Sequence, residues 1–185
     1  MTKASQKVAI VYGFNEGPHM GKRLIRALEA GGFEMVADPA QADIIIAHSG
    51  GCYILTAEHA AKRIICVGLP YWPGHSTFVA LCRKIWRDAL MHHREGEFKY
   101  WLHKSMWNMR YFWHMRANWQ MVQGRLNGTL WKLPDVTVVR YSQDPFCTPN
   151  LAELPFEAPV VLVELSGHHD DCWRTPQQIL HVVQS

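Results

Sequence analysis

Ser49 closes an apolar run, Asp43-Ile44-Ile45-Ile46-Ala47-His48-Ser49-Gly50-Gly51, and has a small residue two positions to either side. A strand that ends in small-x-Ser-x-small and turns straight into a helix lifts a serine hydroxyl out of a sheet, where it can act as a nucleophile. The turn is strained and leaves no room for bulk at the flanking positions, here Ala47 and Gly51. Ala47 differs by one methyl from the G-x-S-x-G form of the pattern. Alone the pattern is weak, because Ser-Gly-Gly after a strand is also an ordinary βα turn and serine is a favoured helix N-cap.

Two later segments carry the residue types that could activate such a serine. A strand-like run at 136–141 leads into Ser142-Gln143-Asp144-Pro145-Phe146-Cys147-Thr148-Pro149, and another at 160–165 leads into Ser166-Gly167-His168-His169-Asp170-Asp171-Cys172-Trp173. Each puts a carboxylate or an imidazole just past the C-terminal end of a strand, the edge at which open parallel sheets bind ligands. The plainer readings are a turn-forming Asp before Pro for Asp144 and, for Asp170 and Asp171, charges that complement the N-terminus of the last helix. His48 reads as a partly buried residue of the turn with no chemical role.

Alternating elements supply the scaffold. Residues 8–12 read as a buried strand, and a helix follows from about 19 to 30 with Met20, Leu24, Ile25 and Leu28 on one face and Gly31-Gly32 as its stop. Strands are expected at 33–36, 43–48, 64–68, 136–141 and 160–165, with helices at 52–61 and 175–183. Such alternation predicts a parallel sheet covered on both faces. Residues 75 to about 127 read instead as two or three helices.

The chain order Ser, Asp, His, each on the loop after its own strand, resembles the α/β-hydrolase fold. Asp144-Pro145-Phe146-Cys147-Thr148-Pro149 is similar to the acid loop of that family, and Gly167-His168-His169-Asp170-Asp171-Cys172-Trp173 to the G-x-H-[N/D]-D-x-W version of its histidine loop. The resemblance covers nearly the whole chain outside 72–132. It implies an α/β-hydrolase-like three-layer sandwich with a mostly parallel sheet of about six strands, without the leading antiparallel strands of larger members. Residues 1–185 would form a single domain, with 71–132 inserted as a helical cap over the catalytic edge. The implied chemistry is acyl transfer to water: Ser49 attacks a carbonyl, His169 takes its proton, and Asp144 fixes the imidazole. Matching Gly-x-His-Asp-Asp favours His169; a plain Gly-His ending would favour His168. The oxyanion hole would be the backbone N–H groups of Gly50 and of Phe14 in Tyr12-Gly13-Phe14.

Composition bounds the alternatives. A length of 185 residues, 48% hydrophobic and 19% charged, fits one globular domain. No stretch approaches the roughly 18 apolar residues of a membrane helix, and 8–12 reads as a first strand rather than a signal peptide. Five scattered cysteines without a C-x-x-C pair point to reduced thiols and a cytoplasmic setting. His92, His93, His103 and His114 lack metal-ligand spacing, so neither a metal nor a cofactor is expected. Between Trp72 and Lys132, ten Lys/Arg face three Asp/Glu, and seven of the eight tryptophans lie there. A cap of this kind suits a small acyl substrate with an apolar or anionic part, and its aromatic face could equally form a homodimer surface. The competing function is a catalytically silent binding protein that uses this basic, Trp-rich cap. A single-stranded nucleic-acid binder ranks last, because no RNA-binding motif accompanies the aromatics.

Overall fold

The computed structural model describes residues 5–13, 16–60, 62–71, 129–144, 147 and 154–185. The expected cap falls almost wholly outside them, as does Phe14. Strand β1 (Lys7–Val11), helix α1 (Pro18–Ala30) and strands β2 (Glu34–Met35), β3 (Ile44–His48) and β4 (Arg63–Val67) come from the first third of the chain. Strands β5 (Val136–Tyr141) and β6 (Val161–Leu165) and helices α2 (Asp171–Arg174) and α3 (Pro176–Gln184) come from the last third. The strands form one sheet in the order β2-β1-β3-β4-β5-β6. All five pairings are parallel, so the three C-terminal loops that carry Ser49, Asp144 and His169 share one edge.

The strands form where β-branched residues run together, and their two-residue period sorts side chains between the faces. Ala9, Ile45, Ala47, Ile64, Cys66 and Val138 face one core cluster. Val8, Ile44, Ile46, Ile65, Val67 and Val139 face the other. Every residue of the central strand β3 is buried. The second face is covered by helices. Helix α1 starts with Pro18 at its first turn, buries Gly21, Leu24, Ala27 and Leu28 along one stripe, and packs on α2 and α3. The first face is closed by short 3-10 segments, Ser49–Ile54 and Thr129–Lys132, whose Tyr53 and Trp131 meet edge to face at 6.1 Å. Among the described residues no helix is long and apolar enough to cross a membrane.

The expected helix at 52–61 is replaced by two 3-10 pieces, Ser49–Ile54 and Ala57–His59. Leu55 and Thr56 between them are extended, and the Thr56 side chain and backbone are taken up in a capping box with His59. The local capping bonds start a new turn there instead of continuing the old one, and Gly50 and Gly51 give the preceding stretch little helix propensity. The expected helix at 175–183 is present as α3 (Pro176–Gln184), and the short α2, which the sequence reading did not expect, stands apart from it because Pro176 opens a new helix at its own first turn.

Candidate active site

Ser49 follows directly on β3 and has φ +50, the left-handed region; among the described residues it is the one non-glycine with positive φ. The conformation costs about 1–3 kcal/mol. Full burial of Ile44, Ile45 and Ile46 immediately before it contributes about 2 kcal/mol per side chain, so the strand holds the turn against its strain. The turn needs Gly51 for a second reason. A Cβ there would come within 2.6 Å of the Val11 carbonyl oxygen and 2.7 Å of that of Tyr12, so the backbone after Ser49 lies flat against the end of β1.

Asp144 and His169 meet across the loops after β5 and β6. His169 Nδ1 lies 2.7 Å from Asp144 Oδ2, with the carboxylate side chain fully buried. An ionised carboxylate accepts, so Nδ1 is the donor. The two loops are also joined through their backbones: Ser142 N–H donates to the Leu165 carbonyl and Gln143 N–H to that of Gly167, each at 2.9 Å. Cys147 Sγ–H donates to the same Asp144 oxygen at 3.1 Å. Gly68, just past β4 with φ +58, forms the floor. A Cβ there would stand 3.0 Å from His169 Cε1 and Nδ1 and 3.3 Å from Asp144 Oδ2.

The structure therefore brings Ser49, Asp144 and His169 to one edge of the sheet and makes His169, rather than His168, the partner of Asp144. Gly50 is buried at the start of the 3-10 segment behind Ser49. His168 is also buried, and its backbone N–H donates to the Asp171 carboxylate at 2.9 Å. Asp171 thus ties the loop to the first turn of α2 and not to the last helix α3, whose first turn carries no acidic residue.

Sequence reasoning missed two residues, Glu16 and His48. His48 is not partly buried but wholly so. Its Nδ1 lies 2.9 Å from Glu16 Oε2 and 2.8 Å from Oε1, and its Nε2 lies 2.9 Å from the His169 carbonyl oxygen. Both partners accept, so both ring nitrogens are donors and the ring is an imidazolium. Burial pulls the His48 pKa down, but Cys172 and Glu16 beside it outweigh this and hold it well above the ordinary value. Burial also raises the Cys172 thiol to about 11. A signal was present in a carboxylate placed in the first βα loop, opposite a histidine that directly precedes Ser49.

His48, His169 and Asp170 could together present three ligand atoms within 4.8 Å of one another. Both His48 nitrogens and Nδ1 of His169 already hold partners. The donors thus serve the hydrogen-bond network and fit a metal poorly.

Solved structures share this arrangement of strands over almost the full chain. A thioesterase domain from the curacin biosynthetic pathway superposes with a TM-score of 0.62 at 15% identity, covering 98% of this chain and 92% of that one. Cfl2 from Burkholderia cenocepacia gives 0.59 at 16% identity, covering 98% and 87%. Epoxide hydrolase I of potato (Solanum tuberosum) gives 0.56 at 12% identity, covering 97% and 92%. The fold is that of the α/β-hydrolases. No family model and no curated protein matches the sequence. Identities this low establish the α/β-hydrolase architecture, a three-layer sandwich on a six-stranded parallel sheet, and leave the chemistry to the site itself.

Proposed function

We propose that this α/β-hydrolase-like chain is a serine hydrolase that cleaves an ester, thioester or related acyl bond through an acyl-enzyme. The observation that carries the reading is the buried 2.7 Å contact between Asp144 and His169 on the same sheet edge as the left-handed Ser49. In this reading Ser49 Oγ attacks the carbonyl carbon and its proton passes to His169 Nε2, while Asp144 stabilises the imidazolium so formed. The N–H groups of Gly50 and Phe14 stabilise the tetrahedral oxyanion. Collapse expels the alcohol or thiol, which takes the proton from His169. Water then repeats the cycle on the acyl-serine, releasing the acid and restoring Ser49. The thioesterase domain among the similar structures favours an acyl substrate. A basic, tryptophan-rich cap at 71–132 would select its apolar or anionic part.

The test is labelling by a fluorophosphonate probe. The wild type should react covalently, and Ser49→Ala should lose the label altogether, with hydrolysis of acyl esters falling on the order of 10⁶-fold. A folded wild type that does not react at all would instead favour a silent binding protein built on the same fold.

A further inference from the structure

Three loops converge on His48. It directly precedes Ser49 on β3; its Nδ1 side holds Glu16 of the loop after β1; its Nε2 side holds the backbone of His169 after β6. Glu16 in turn accepts the Gly13 N–H at 2.6 Å, which anchors the start of the loop that carries Phe14. A Cβ on Gly13 would lie 3.0 Å from both the His48 carbonyl oxygen and Ser49 Cβ, so Gly13 lies directly against the nucleophile turn. The ring of His48 is walled by Trp173 at 4.9 Å, which itself stacks on Tyr12 at 5.6 Å. Water therefore has little access to the ion pair, whose side chains are 0% and 8% exposed.

We propose that Glu16 and His48 form a positioning pair, one that ties Gly13 and the backbone of the base together with the nucleophile turn. The inference rests on Ser49 and His169 acting as nucleophile and base. His169 is then held at both ends, its ring by Asp144 and its carbonyl by His48. A small shift of that carbonyl swings Nε2 relative to Ser49, and misplacements of an ångström cost about 10²-fold in rate. In this role Glu16 and His48 act through the backbone they hold and not by proton transfer. A buried pair of this kind is poor evidence for stability, because desolvation offsets its attraction, and its better-attested use is to select one arrangement.

The experiment compares wild type, Glu16→Gln and His48→Gln in fluorophosphonate inactivation, each beside its thermal midpoint and with Ser49→Ala as the control. The expected result is a first-order inactivation constant lowered about 10- to 100-fold with the probe's binding constant unchanged, at temperatures where each variant is folded. Wild-type inactivation constants in folded variants would overturn the proposal and reduce the pair to a packing element. Nitrogen NMR of the wild type supplies a readout independent of reactivity and of variant folding. His48 faces Glu16, Cys172, His169 and Asp170. Its ring should carry protons on both nitrogens from about pH 6 to 8, with a through-hydrogen-bond coupling from Nε2 to the His169 carbonyl carbon. A His48 ring that loses a proton near the ordinary 6.5, or that lacks the coupling, would sink the proposal even if the probe reacts. If the wild type fails to react while the NMR result is as expected, the hydrolase reading falls and the positioning geometry stands.

Discussion

The two ends of the sheet are built on opposite terms. At and beyond the C-terminal ends lie Ser49, the one non-glycine with positive φ among the described residues, and the buried polar residues His48, Asp144, His168, His169 and Asp170, against Thr137 alone near the start of β5. At the N-terminal ends the polar groups do ordinary structural work nearer to solvent. Asp43 accepts the Lys7 N–H at 2.8 Å, and Arg63 donates to the Val183 and Val182 carbonyls at 2.8 and 3.0 Å, closing the last turn of α3. Strain and buried charge are gathered at one end, and plain helix and strand closure at the other. The difference teaches that the C-terminal groups are retained at a cost to folding, which is how a site differs from a scaffold.

The contrast breaks most visibly at His169, the proposed base. His169→Asn should lower fluorophosphonate reaction by on the order of 10⁴-fold or more, and His168→Gln by a few-fold at most, with thermal midpoints showing both variants folded. Equal losses for the two histidines would dissolve the distinction drawn between them.

A smaller effect concerns pH. The His48 pKa is raised in the folded protein, so its contribution to stability is fully present below the unfolded value near 6.5 and is lost as pH rises through the folded value. The thermal midpoint of wild type should thus exceed that of His48→Gln most on the acid side and approach it on the alkaline side. A gap that widens with pH would mean that the ring is buried neutral.

The smallest effect belongs to the other end. Arg63→Met should lower stability by about 1–2 kcal/mol through the lost carbonyl contacts, measured by denaturant unfolding, and leave probe reactivity unchanged. Loss of reactivity there would show that the two ends are not separable.

Much of this was legible in the sequence because it depends on local pattern. The isoleucines of β3, the alternation around β1, β4 and β5, and the small residues flanking Ser49 each state their role within a few positions. The Asp144 and His169 loops were legible through their order along the chain. The Glu16–His48 pair was not, since the partners are 32 residues apart and meet only once two loops have taken their shapes. Gly68 was equally silent: its need for a missing side chain comes from His169 and Asp144, far along the chain. The broken helix after Ser49 was misread because periodicity carries no trace of the Thr56–His59 capping bonds.

The parallel topology has a consequence in time. Residues 49–62, 14 in number, separate β3 from β4, whereas the 68 residues 68–135 separate β4 from β5. Closing the longer connection as a flexible chain costs about 1.4 kcal/mol more, close to a tenfold slowing. Pulse-labelled hydrogen exchange during refolding should find the amides of Ile44–His48 protected before those of Val161–Leu165. The half of the sheet that carries Ser49 would then wait, already folded, for Asp144 and His169 to arrive from the far side of residues 68–135.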